Sequence, residues 1–289
     1  MTGRQHGTSV DAAPAKSADH LTIAGLIAVL LLSALIATVP GSSAALLARV
    51  TNTTNTARAA PYFTCAAAVT AAAPTIWYRL DETSGVTVTD SSGNGRNGRY
   101  RGTPTYGTAT ACPRDTGTAV TLDGSSAYLG YATAITVTGT FTLETWFRTT
   151  TTRGGRLIGF GTSATGASTT TDRQVYMVNS GQVVYGINPT SHKTVTSPEA
   201  YNDGVWHHLM ATQSATTMNL YVDGALAAAG AGVVTSTTYS GFLRLGYDNL
   251  TGWPSAPTSS FFAGSLDQAA TYSKTLTAAD ALEHDATGS

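Results

Sequence analysis

Residues 140–148 read TFTLETWFR. Phe141, Leu143, Thr145 and Phe147 alternate with Glu144, Trp146 and Arg148. A period of two puts successive side chains on opposite sides of a pleated backbone, so the stretch predicts a strand with one packed and one outward face. MNLYVDG repeats the pattern, with Met218, Leu220 and Val222 opposite Asn219, Tyr221 and Asp223. QVYMVNSGQVVYGI predicts a hairpin turning at Asn179, Ser180 and Gly181. WHHLMATQSATTMNLYV predicts another turning at 214–217. Further strands are expected in IWYRLD, AVTLDG, AYLGYA, RLIGFG, LRLGY and FFAGSLDQAATYS. One short helix is expected near the C-terminus. Thr277 precedes AADALEHD, and Asp280 stands where a capping box needs an acceptor.

Many short strands and a single terminal helix predict an all-β, two-sheet antiparallel sandwich. The stretch 74–289 is about twice the ~100 residues of an immunoglobulin-type sandwich, so a jelly roll suits it better.

The N-terminal part has another pattern. Residues 21–39, LTIAGLIAVLLLSALIATV, carry no charge and are long enough to span a bilayer. Small residues in PGSSAA follow, which suit signal peptidase. Residues 1–45 therefore predict a membrane-engaging helix, either a cleaved signal peptide or a retained signal anchor. Either places the rest of the chain outside the cytoplasm or on the cell surface. Residues 46–73 show Thr/Asn and Ala runs without an apolar period and read as a linker, with one short strand at LLARV.

Composition narrows the class. Only 11% of the 289 residues are charged and the net charge is -1, which excludes the basic stripe that nucleic acid requires. The two cysteines, Cys65 and Cys112, both follow the apolar segment. In an exported chain an even count suggests a disulfide, two buried thiols being the alternative. No C-x-x-C occurs, so a redox or zinc motif is not indicated.

Residues 90–101, DSSGNGRNGRYR, place Asp90, Ser92, Asn94 and Gly95 at the first positions of a calcium-loop pattern. Position twelve is Arg101 rather than the bidentate Glu an EF-hand needs, and helical patterns do not flank it. A β-turn, or a calcium loop completed from elsewhere, remains. His207 and His208 are adjacent, so in a strand they point to opposite faces and cannot share one ion. Neither G-x-S-x-G nor H-E-x-x-H is present.

Several blocks together resemble laminin-G-like domains of the concanavalin A-like lectin/glucanase superfamily. They are IWYRLDETSG with VTDSSGNGRNGRYRG, then AVTLDGSSAYL, FTLETWFRT, DGVWHHLMATQS with MNLYVDG, and FFAGSLDQAATYSKTLTAADALEH. The likeness spans about 74–286. It implies a jelly-roll sandwich and a structural calcium ion, with Asp81, Glu82, Asp90, Asn94 and Asp267 as the candidate ligands. Gln268 stands where the family commonly has Glu, and Arg96, Arg99 and Arg101 oppose a cation at the loop. The E-x-D-x-E run of the superfamily's retaining glucanases, which flanks a scissile bond with two carboxylates, is missing.

The resemblance leaves three functions in competition. The first is an exported, cell-surface, non-catalytic module that binds glycan. Its expected site is the loop GYDNLTGWPSAPTSS, where Tyr247, Asp248, Asn249 and Trp253, with Tyr239 nearby, offer rings and hydrogen-bonding groups. The alternative for Trp253-Pro254 is packing of this loop onto the sandwich rim. The second function is a structural or adhesive protein that binds a protein partner. The third is a glycan-active enzyme, which only relatives suggest.

Overall fold

The structure is a computed structural model that describes residues 62–231 and 238–288, together with a short antiparallel pair, β1 (Val50–Thr51) and β2 (Thr56–Ala57). The segment 1–45 read as a signal or anchor lies outside the described residues. Among the described residues no helix is long and apolar enough to cross a membrane. The chain divides into two units, Met1–Ala59 and Ala60–Ser289. The second holds the paired sheets.

Its elements run α1 (Cys65–Ala71), β3 (Ile76–Tyr78), β4 (Thr87–Val88), β5 (Gly98–Arg101), β6 (Thr105–Thr108), β7 (Ala119–Asp123), β8 (Tyr128–Gly130) and β9 (Ile135–Val137). Then come β10 (Phe141–Arg148), β11 (Gly155–Gly161), β12 (Thr171–Met177), β13 (Gln182–Ile187), β14 (Lys193–Ala200) and β15 (Trp206–Gln213). β16 (Thr217–Val222), β17 (Ala225–Ala231), β18 (Tyr239–Leu245), β19 (Ala263–Tyr272) and α2 (Ala278–Asp285) complete it. Two antiparallel sheets result. The first is ordered β17-β16-β15-β10-β19-β7-β6, with β3 also on β19. The second is ordered β14-β13-β12-β11-β18-β8-β5-β4, with β9 also on β18. Strands far apart in sequence lie side by side, as β10 and β19 do. This is the two-sheet sandwich that the alternation predicts.

The core fills the space between the sheets. Phe141, Leu143 and Phe147 of β10, Leu209 and Ala211 of β15, and Leu266 of β19 face Phe160, Val175, Tyr185 and Leu243 of the second sheet. Both predicted hairpins form. In the first, Gly181 at φ 87° supplies the positive φ that a side chain would oppose. In the second, the Ser214 N–H donates to the Thr217 carbonyl. Thr277 and Asp280 form the predicted capping box at the start of α2.

Two expectations change. Residues 65–71 form a helix where the Ala-rich sequence shows no apolar period. Thr64 caps it by accepting from the Ala67 N–H, and the Cys65–Cys112 disulfide fixes its first residue. The outward face of β10 is also not solvent-facing. Glu144 and Trp146 are buried because α1, α2 and the chain end cover the outer face of the first sheet. There Val69 and Ala72 meet Met210, Tyr221, Tyr272, Leu276 and Ala281, and Trp146 packs with Cys65, Ala111 and Cys112.

Candidate functional site

One row of residues crosses the second sheet at a single register. Arg99, Gly130, Arg244, Gly159, Gln174, Gly186 and Thr194 are successive cross-strand partners on β5, β8, β18, β11, β12, β13 and β14. Their neighbours Tyr100, Leu129, Leu245, Val175 and Tyr185 point into the core, so the row lies on the outer face. Its glycines make a trough that other side chains fill. A Cβ on Gly159 would lie 2.7 Å from Arg156 Nη2, and one on Gly186 would lie 2.4 Å from Trp253 Cζ3.

The loop 247–259 plugs this trough. Trp253 is 4% exposed. Its indole N–H donates to Thr171 Oγ1 at 2.8 Å, and its ring stacks on His192 at 4.1 Å. Asp248 is fully buried. It accepts from the Ser168 N–H and hydroxyl and from the Asn249 N–H, and stands 3.2 Å from Arg156 Nη1. Asn249 donates to the Ser168 carbonyl and accepts from the Thr251 N–H. Tyr239 is half-buried beside the Arg173 guanidinium, with its hydroxyl enclosed. Trp253, Asp248 and Asn249 thus hold the loop down, the packing role open to Trp253-Pro254 in the sequence. Because the trough is full, Gly186→Ala should drive a methyl into the indole and destabilise the protein by about 1–3 kcal/mol. Chemical denaturation would measure this.

Tyr247 differs from the other loop residues. Its ring lies parallel to Phe261 at 3.8 Å and 11°. Tyr128 approaches both rings, at 5.4 Å and 6.3 Å. All three are half-buried. The Arg244 guanidinium sits 4.6 Å from the Tyr128 ring centre and donates to the Ser163 and Gly166 carbonyls, so the cluster is held from below. Burial, then the Asp248 carboxylate, pushes the Tyr247 phenol up, which keeps it a hydrogen-bond donor at neutral pH. Sequence reasoning did not single out Tyr128 or Phe261, which the structure brings against Tyr247. The one signal for Tyr128 was its outward position beside the core residue Leu129.

The five calcium candidates stand apart. Asp90 accepts from the N–H groups of Trp77, Ser92 and Arg96. Burial raises its carboxyl, but these donors outweigh that and leave it lowered. Asn94 turns its amide N–H groups to the Pro74 and Thr75 carbonyls. Glu82 accepts from the Thr89 N–H and the Tyr100 hydroxyl. Asp81 pairs with Arg79 at 3.2 Å. Asp267 accepts from Thr110 and Ala111 through Oδ2, and burial pushes it up to about 7. Among the described residues no three of the four carboxylates bring ligand atoms within 4.8 Å of one another. Most of their oxygens face N–H donors, a hydroxyl or a guanidinium, while Asp267 Oδ1 is enclosed without a hydrogen-bond partner. Asp90 holds its loop in a turn by accepting from the Ser92 and Arg96 N–H groups.

A family model for concanavalin A-like lectin/glucanases matches residues 123–281. The chain belongs to the concanavalin A-like lectin/glucanases superfamily. No curated protein sequence matches it. Among solved structures it is similar to the binding domain of Paraclostridial Mosquitocidal Protein 1, with a TM-score of 0.54 and 11% identity over 72% of this chain and 51% of that one. It is also similar to the binding domain of Botulinum Neurotoxin DC in complex with SialylT, with a TM-score of 0.50 and 12% identity over 73% of this chain and 50% of that one. The chain spans about half the length of these solved chains. At such identities they share its fold. The superfamily match starts at Asp123, so the blocks at 76–101 that carried part of the resemblance precede it.

This superfamily member also carries a buried charged network that the sequence did not reveal. Glu144 Oε1 lies 2.9 Å from His208 Nε2 and 2.8 Å from His284 Nδ1, and Glu144 Oε2 accepts from the Tyr272 hydroxyl. Burial would raise the Glu144 carboxyl, but the His284 charge and the hydrogen bonds from both imidazoles hold it well below the usual range. Burial lowers His284, and the Glu144 carboxylate more than reverses this. His207 lies on the opposite face of β15, as adjacency requires, between Asp223 at 2.8 Å and Asp203 at 3.1 Å. The Glu144 network fastens α2 to the sheet.

Proposed function

We propose that this chain is an exported, surface-associated, non-catalytic module that binds glycan on the Tyr128–Tyr247–Phe261 platform. The observation that carries this reading is the cluster of three half-buried rings, Tyr128 on β8 with the stacked Tyr247 and Phe261 beside it. Sugar C–H faces pack on aromatic faces, and a phenol beside them supplies a directional hydrogen bond. Membership of a lectin-containing superfamily supports it. Export rests on the apolar segment 21–39. Catalysis finds no support in the paired-carboxylate arrangement of the superfamily's hydrolases, since Glu144 is sealed under α2 and Asp248 is tied to Arg156.

A screen of glycans and polysaccharides against the full chain tests the proposal. Tyr247→Ala and Phe261→Ala should each weaken binding about tenfold or more while leaving the unfolding transition near that of wild type. A ligand bound equally by both variants would move the site elsewhere. A folded sample that binds no glycan but retains a protein partner would favour the adhesive reading.

A further inference from the structure

The platform has a cationic border. Arg99 and Arg101 lie two residues apart on β5 with Tyr100 between them in the core, so both project from the outer face. Arg101 is the direct cross-strand partner of Tyr128, a platform ring. Arg99 belongs to the row that runs through Gly130 to Arg244. Gly130 has no side chain to stand between Arg99 and Arg244.

The charges of these arginines are differently employed. Arg244 is fully buried, and its two terminal nitrogens hold the Ser163 and Gly166 carbonyls. Asp248, the acid nearest to it, lies at 4.0 Å and is shared with Arg156. Arg101 lies close enough to Arg244 for the two cations to repel. Arg99 is exposed and Arg101 half-exposed. Among the described residues, no carboxylate lies within 4 Å of either guanidinium. Two forked cations that lack internal partners, beside stacked rings, match a ligand with both a sugar face and an anionic group. Guanidinium forks bind carboxylate or sulfate oxygens through paired N–H donors.

We infer that the ligand of this platform is an acidic glycan, whose sugar ring packs against the Tyr128–Tyr247–Phe261 cluster while its carboxylate or sulfate is held by Arg101 and Arg99. The assignment rests on the platform reading and adds the ligand's charge. It also predicts salt dependence, since exposed ion pairs are screened at a Debye length of about 8 Å in physiological salt.

The test is binding of the full chain to neutral polysaccharides (arabinan, xylan, β-glucan) and acidic ones (polygalacturonate, hyaluronan, heparin), each at low and high salt. Wild type should prefer an acidic member, with affinity falling as salt rises. Arg99→Ala/Arg101→Ala should lose tenfold or more on that ligand with an unchanged unfolding midpoint, and Arg99→Lys/Arg101→Lys should recover part of it. Tyr247→Ala should also lose it, which ties the charge to the platform. Binding confined to neutral polysaccharides and indifferent to the arginine variants would overturn the acidic-ligand assignment and leave the platform intact. Acidic binding that the arginine variants lose but Tyr247→Ala keeps would be charge attraction alone and would overturn it too. No polysaccharide binding at all would remove both this inference and the glycan reading beneath it.

Discussion

Glu144→Ala should cost about 3–5 kcal/mol of unfolding free energy, because it removes one side of a buried, hydrogen-bonded charge cluster and leaves the other uncompensated. His208, His284 and Tyr272 all direct hydrogen bonds at this one carboxylate. Glu144→Gln keeps the volume and removes the charge, so it isolates the electrostatic part. The sign of the pH dependence follows from the two shifts. Glu144 is depressed in the folded state. Its contribution is therefore complete above the unfolded carboxyl value of about 4.3 and is lost as pH falls. His284 is raised. Its contribution is complete below the unfolded imidazole value of about 6.5 and is lost as pH rises through the folded value. Wild-type stability conferred by this pair should peak between those limits, and Glu144→Gln should flatten the curve on both sides. Urea denaturation at pH 4, 5.5, 7 and 8.5 would measure it. Equal wild-type and variant stability at every pH would mean that the network does not stabilise the fold.

Reduction of the Cys65–Cys112 bridge should cost about 4 kcal/mol in the chain-entropy model, the bridged residues being 47 apart in sequence. The local consequence should exceed the global one. A seven-residue helix is far below the length that persists alone in water. α1 keeps its place through the bridge, the Thr64 cap and the burial of Val69 and Ala72. Cys65→Ser/Cys112→Ser should therefore show faster amide exchange across 65–71 before the sandwich unfolds, together with a lower denaturation midpoint. An unchanged midpoint and unchanged exchange would show that packing alone seats the helix.

How much of this was legible in the sequence can be judged element by element. Strict alternation revealed β10 and β16, and the turns at Asn179–Gly181 and 214–217 revealed both hairpins. Thr277 and Asp280 revealed the start of α2. Local signals were silent on α1, since an Ala/Thr run has no apolar stripe and its partners lie elsewhere in the chain. They were also ambiguous about Glu144. An acid at an outward strand position reads as solvent-facing, and only the return of α2 onto the sheet covers it. For the loop at 247–259, composition offered Tyr247 and Trp253 alike as rings. It could not separate a half-buried ring, Tyr247, from a buried one, Trp253, whose seat is a glycine on another strand. The calcium reading rests on ligand-type residues in order along the chain, and that order does not fix where carboxylate oxygens point.

The covering of the first sheet has a consequence for display. α1 and α2 both pack on the outer face of that sheet, and Gly288 closes over Trp146 there. The residues beside both helices therefore enter and leave on that side of the sandwich. The aromatic platform and its arginines lie on the outer face of the other sheet. Immobilising the protein through a tag beside either helix turns the platform toward the solution. A sensor surface built that way presents every molecule in one useful orientation, with the sandwich itself as the spacer.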